Sequence, residues 1–317
     1  MNTSKRTVGH LFALFTIVVW GSCFVATKQL LTAFTAIQII PLRMFLAYAV
    51  LWLLRPKTLK LGWRDELMFV LIGIMGGSFY FFLQNTALTY TYAANVSIIV
   101  ALSPILTVIL AQIFTRHNEH LSKYVYFGSL VAIAGVVLVV LNGSVVLKLS
   151  PAGDFLALAA ALAWAVYSVL IKKYTEKYDN FLVTRRVMLW AGITSIPLML
   201  LTDGMPDLFP LIHQPSVLLC WLFLGVFGNA VCFALWNIAF NRLGVVVTNN
   251  YLYASPFVTL IVGYFALHES ISVMSVIGAV LITLGVILAF KTSPAKSTDT
   301  GSTAQQESIQ SIPDNKQ

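Results

Sequence analysis

Apolar residues gather in runs of about 20, the length that carries a helix across a hydrocarbon core of roughly 30 Å, and short polar or charged loops separate the runs. The pattern predicts ten membrane-spanning helices, at about 9–31, 36–54, 67–88, 93–114, 122–141, 153–172, 181–201, 217–239, 245–267 and 272–290. Pro56, Asn142-Gly143, Asp203-Gly204 and Pro206 mark several of the ends as turns. The fold class read from the chain is an all-α integral membrane protein.

The pattern also repeats. Asn85, Ala87, Ser103, Pro104, Thr107 and Ile109 recur 152 positions later as Asn237, Ala239, Ser255, Pro256, Thr259 and Ile261, without a gap. Upstream, Gly73, Gly76, Phe81 and Leu83 recur as Gly225, Gly228, Phe233 and Leu235. Near the start of each half Gly9, Trp20 and Lys28 recur 144 positions on as Gly153, Trp164 and Lys172. Near the end Glu119, Gly128 and Gly135 recur 150 positions on as Glu269, Gly278 and Gly285. Shared Leu and Val match by chance in an apolar chain, so the Asn, Gly and Ser-Pro pairs carry the conclusion that one half was copied into the other. The expected division is a cytoplasmic N-terminus (1–8), a first five-helix repeat (9–141), a linker (142–152), a second five-helix repeat (153–290) and a disordered cytoplasmic tail (291–317) rich in Ser, Thr, Gln and Pro.

Charge orients the spans. Lys5, Arg6, Arg55, Lys57, Lys60, Arg64, Arg116, Lys123, Lys172, Lys173, Lys177, Arg242, Lys291 and Lys296 all fall on one side of a ten-span chain, and the other side holds little beyond Lys28, Lys148, Asp203, Asp207 and Glu269. The positive-inside rule then makes both termini cytoplasmic in a multi-pass protein of the cytoplasmic membrane. Five is odd, so two copies of one sequence must insert upside down relative to each other. Inverted repeats of this kind hold a substrate site near the bilayer midplane, where the copies meet.

Composition excludes the soluble reading that 317 residues would otherwise allow: 58% hydrophobic and 10% charged, against roughly 45–50% and 25% in soluble domains. The net charge of +8 lies in short loops rather than on one face, so no nucleic-acid partner is expected. Cys23, Cys220 and Cys232 sit inside apolar runs without metal-binding or redox spacing, which assigns them to packing. The first apolar run continues through Leu31, too long for the apolar region of a cleaved signal. The expected partners are a small-molecule substrate and the lipid bilayer, with no cofactor or metal.

The chain resembles the EamA family of ten-span carriers within the drug/metabolite transporter superfamily. The resemblance rests on Trp20-Gly21-Ser22-Cys23-Phe24, on the Arg43 segment Pro41-Leu42-Arg43-Met44-Phe45, on the two Asn-x-Ala and Ser-Pro pairs, and on His268-Glu269 with the following apolar run. His268 and Asn118 stand where the family usually has Gly before the Glu, and the second half reads Trp164-Ala165-Val166-Tyr167 without the Gly-Ser. The resemblance implies transport of amino acids or other small metabolites, with export as the expected direction.

A carrier needs polar or aromatic side chains at mid-span to replace the substrate's hydration. Trp20, Tyr80, Trp164 and Tyr167 offer rings that stack on a solute and donate one hydrogen bond. Gln84 and Asn95 occur in one copy only, which suits substrate discrimination, whereas the duplicated Asn85 and Asn237 suit bonds between helices. Arg43 is a basic residue well inside a span and a candidate for attracting a carboxylate, with Arg186 in the corresponding place of the other half. Ser103-Pro104 and Ser255-Pro256 should bend their spans, because proline removes a helical donor, and could gate the path. Gly73, Gly76, Gly77, Gly225 and Gly228 permit close approach of helices.

No Asp or Glu falls at mid-span, which leaves proton coupling through Glu119 or Glu269 and uncoupled facilitation both open. An enzyme would need a cluster of acid, base or metal ligands, and Arg116-His117-Asn118-Glu119-His120 lacks such a frame. A channel would share the spans but lacks a filter motif here. A sugar-phosphate or nucleotide-sugar carrier of the same superfamily would want several cavity cations, and only Arg43 and Arg186 qualify.

Overall fold

The computed structural model describes residues 3–115, 123–146, 151–268 and 273–290. The tail from 291 and the loop candidates Arg116, His117, Glu119, His120 and Glu269 lie outside the described residues. Every regular element among the described residues is helical. In hydrocarbon this follows from the backbone, since a helix satisfies its polar groups within itself. We label the segments α1 (Thr3–Leu30), α2 (Ile39–Leu54), α3 (Trp63–Tyr90), α4 (93–115), α5 (Lys123–Val146), α6 (Pro151–Lys177), α7 (Asn180–Thr202), α8 (Pro215–Leu243), α9 (Val245–Leu267) and α10 (Val273–Phe290). A five-residue helix, Phe209–His213, precedes α8. Among the described residues six segments, α1, α3, α4, α6, α8 and α9, are long and apolar enough to cross a membrane. Helix α5 continues to Val146 and α6 starts at Pro151, so helix extends into both ends of the expected linker.

The bundle is apolar outside and partly polar inside. Leu11, Leu14, Phe15 and Val18 point outward from α1, while Thr16, Gln84, Asn85, Asn229, Asn237 and Asn249 are buried. That inversion is what a lipid solvent selects, because an amide facing hydrocarbon has no partner.

The two halves pack by exchange. Helix α1 lies against α8 and α9 of the second half, and its counterpart α6 lies against α3 and α4 of the first. Helix α2 pairs with its own counterpart α7, and α5 with α10. In the α5–α10 seam backbone meets backbone: a Cβ on Gly135 would stand 2.7 Å from the Gly278 carbonyl oxygen, and one on Gly285 would stand 2.5 Å from that of Gly128. Only glycine fits at both places, and the two contacts are copies of each other.

A second pair of glycine contacts fixes the register of the second helices. Gly225 abuts Leu46 and Gly73 abuts Trp190, so the 144-position offset persists from α1 and α6 into α2 and α7. Arg43 therefore corresponds to Val187, and the expected equivalence with Arg186 is off by one residue. Arg186 sits near the start of α7, beside Glu66 at 3.5 Å and donating to the Leu59 carbonyl.

The ion pairs among the described residues gather at one end of the bundle. Arg55 pairs with Asp179 at 3.0 Å and Lys177 with Asp65 at 3.8 Å. Arg185 donates to the Arg55 and Lys57 carbonyls. At the opposite end Gln38 bonds the Asp203 and Gly204 carbonyls, and Lys28 bonds that of Thr91.

Candidate functional site

Two helices depart from α-geometry at equivalent positions. In α3, Ile74–Ser78 is π-helical, and in α8 so is Phe223–Val231. A π-turn accommodates an extra residue, frees a carbonyl and marks functional sites disproportionately. Here the Gly228 carbonyl is taken by the indole Nε1 of Trp20 at 2.8 Å. Gly76, its counterpart in α3, lies under the Tyr167 ring, whose nearest atom would be 2.2 Å from an added Cβ.

Two more helices are interrupted beside them. The sequence anticipates a bend at each Ser-Pro pair; the structure instead ends one helical piece and begins another. A turn at 101–102 precedes the segment Ser103–Thr115, and a 3₁₀ stretch, Asn250–Ala254, precedes Ser255–Leu267. Proline suits the first turn of each new piece, where its missing N–H costs nothing. The Ser103 hydroxyl donates to the Val100 carbonyl, capping part of the break.

Between these irregular stretches lies a cavity of about 520 Å³, counting its mouth. Trp20, Arg43, Tyr80, Gln84 and Trp164 line it together with Cys23, Phe24, Phe81, Ser97, Val100, Ala101, Phe233, Leu252 and Ser255. Trp20 and Trp164, equivalent residues of the two halves, meet edge-to-face with ring centroids 5.2 Å apart, and Tyr80 packs 5.3 Å from Trp164. Such aromatic pairs add about 0.5–1.5 kcal/mol beyond area burial.

Arg43 is 1% exposed. Its Nε donates to Asn229 Oδ1 at 2.8 Å, and its guanidinium stands 4.1 Å from the Phe81 ring centre. Asn229 lies in the π-stretch of α8, with its Nδ2 against the sulfurs of Met44 and Met188. The cavity wall is thus tied across the two halves.

Most of the other sequence candidates lie away from the cavity. Tyr167 is fully buried and donates to Asn237 Oδ1 at 3.4 Å, while Asn237 Nδ2 donates to Thr184 at 2.9 Å. Asn85 donates to the Ala36 carbonyl at 3.0 Å, and Asn95 to Thr91 Oγ1 at 3.0 Å. Trp164 Nε1 reaches Asn249 Oδ1 at 3.3 Å. Of the Ser-Pro residues Ser255 lines the cavity; Ser103, Pro104 and Pro256 stand at the helix restarts. Sequence reasoning missed Asn229 as Arg43's partner and Cys23 as a lining residue. The repeat held the signal, since Asn229 falls on Gly77 and Cys23 on Tyr167, departures from otherwise paired positions.

The pattern of the EamA-like transporter family matches residues 7–141 and again 151–291. The chain belongs to that family. EamA membership makes it a multi-pass membrane transporter built from two copies of one unit. The uncharacterized transporter YyaM of Bacillus subtilis (strain 168) is 29% identical over 232 residues, covering 71% of this chain and 73% of YyaM. The probable terminal-alkyne amino-acid exporter of Streptantibioticus cattleyicolor (strain ATCC 35852) is 28% identical over 285 residues, covering 87% and 91%. A crystal structure at 22% identity shares the EamA fold with a TM-score of 0.71, over 92% of this chain and 98% of that one.

Proposed function

We propose that this EamA protein is a secondary carrier that exports amino acids or related small organic metabolites across the cytoplasmic membrane by alternating access. The observation that carries the proposal is the position of the cavity: it lies where the two repeats meet, has walls from both, includes residues of the interrupted stretches, and has its Trp20 and Arg43 bonded to the π-helical stretch of α8. Irregular backbone within a membrane is tolerated where it faces protein or a water-filled path. The similarity to a probable amino-acid exporter favours that substrate class. A single lining cation, Arg43, disfavours phosphate-bearing cargo.

In this reading α1 to α10 all cross the bilayer, units 9–141 and 153–290 are inverted copies, and both termini face the cytoplasm. The gathering of Arg55, Lys57, Lys177, Arg185 and Arg186 at one end of the bundle supports the orientation. Trp20, Tyr80, Gln84 and Trp164 hold the substrate, and the restarts at Ser103-Pro104 and Ser255-Pro256 move as it passes.

Proteoliposomes preloaded with one metabolite at a time should show saturable counterflow of the labelled compound, and a repeat with a pH gradient should reveal any proton coupling. Flux that rises linearly without counterflow would make the protein a channel. Labelling that places the two termini on opposite faces would remove the inverted arrangement.

A further inference from the structure

The cavity is electrically lopsided. Arg43 is the one lining residue that is charged at neutral pH; no Asp, Glu, Lys or His contributes to the wall among the described residues. A guanidinium is charged at neutral pH. Its present partners are neutral: the Asn229 amide oxygen on Nε and the Phe81 ring on its face. The Nη1 nitrogen is buried and has no hydrogen-bond partner among the described residues. A buried charge costs several kcal/mol unless it is matched by an opposite charge and its donors are satisfied. The protein holds Arg43 in that unmatched state beside empty space, with the room left by Gly228, whose added Cβ would come within 3.7 Å of Nη2.

Resting on the carrier reading above, we propose that the cavity is a receptor for small organic monocarboxylates with an apolar or aromatic body, and that the carboxylate, bound by Arg43, is the recognised group. One cation matches one carboxylate. The remaining wall, made of Trp20, Phe24, Tyr80, Phe81, Trp164 and Phe233, matches the body. Gln84 and Ser97 supply neutral hydrogen bonds but no counter-charge for an ammonium. An α-amino group therefore adds a second positive charge to a low-dielectric space that already holds one. The site ranks a plain carboxylate above the corresponding zwitterion, and a zwitterion above an amine. The link from Arg43 in α2 to Asn229 in α8 means that a bound carboxylate acts on a contact between the two halves.

Three compounds sharing a phenylethyl body separate the possibilities: 3-phenylpropionate, phenylalanine and phenethylamine. Binding to the purified protein in nanodiscs is read from quenching of tryptophan fluorescence, and transport from counterflow in proteoliposomes. We expect 3-phenylpropionate to bind and exchange, phenylalanine to do so more weakly, and phenethylamine to do neither. Arg43→Gln should weaken 3-phenylpropionate binding by about ten- to hundredfold, the range of one charge-assisted hydrogen bond, and Arg43→Lys should restore part of it. Thermal unfolding of each variant establishes that it is folded. If Arg43→Gln does not fold, the ranking of the three compounds on the unaltered protein decides the matter alone. Equal binding of amine and carboxylate, or binding untouched in folded Arg43→Gln, overturns the proposal. Carriage of other metabolites without any carboxylate overturns it and leaves the carrier reading standing; counterflow of nothing in a broad panel sinks both.

Discussion

The two halves share a backbone plan and differ in what fills it. Where the first half places Cys23, Gln84, Ala101 and Arg43 around the cavity, the second places Tyr167, Trp236, Tyr253 and Val187 at the corresponding positions. Tyr167, Trp236 and Tyr253 are among the largest fully buried side chains of the molecule. The cavity is therefore offset toward the first half, and its mirror image is packed solid with rings. Duplication supplied a symmetric scaffold, and divergence of a few side chains opened one of two equivalent spaces. Trp20 and Trp164, which did not diverge, remain at the boundary and touch each other.

Giving the first half the second half's side chains should have the largest effect. Gln84→Trp with Ala101→Tyr should fill the cavity and abolish counterflow while the protein still reaches the membrane in normal amount; substantial remaining flux would mean that the substrate passes elsewhere. A smaller contrast separates the two π-stretches. Gly76→Ala meets a tyrosine ring at 2.2 Å and Gly228→Ala a cysteine sulfur at 2.8 Å. Overpacking costs about 1–3 kcal/mol, and thermal unfolding in detergent should put Gly76→Ala at the upper end and Gly228→Ala at the lower. Trp164→Ala should reduce transport about tenfold with unchanged membrane abundance, since it removes an aromatic wall and roughly 1 kcal/mol of ring contact. The smallest effect is expected at the duplicated amides. Asn85→Ala removes a bond from α3 to the connection between α1 and α2, Asn237→Ala removes bonds between helices, which average about 0.6 kcal/mol within membranes, and Asn237→Ala should cost more because it serves two partners.

Much of the architecture was legible in the sequence because lipid imposes a simple rule on apolar run length, and because a copied half leaves paired Asn, Gly and Ser-Pro residues in register. The cavity was legible only where residue type and depth sufficed. Trp20, Arg43, Tyr80, Gln84 and Trp164 converge on one space, yet Tyr167, three residues beyond Trp164, turns away toward Gly76 and Asn237. Which face a mid-span residue presents depends on helical phase and on what packs opposite, and the π-turns of α3 and α8 set what α6 meets. Nothing in the apolar string around Gly76 or Gly228 announces such a turn. The off-by-one pairing of Arg43 with Arg186 has a related cause: two adjacent arginines, Arg185 and Arg186, lie close to the true counterpart Val187, and only the glycine contacts select the offset.

The self-matching seam between α5 and α10, with its paired glycine-to-carbonyl contacts, has the symmetry of a dimer interface enclosed within one polypeptide. A transporter assembled this way should not need its covalent bridge for recognition between the parts. Severed between α5 and α6 and expressed as two fragments, the protein should reassemble in the bilayer and regain counterflow, and the ancestral single unit would have met its own twin through the same surface.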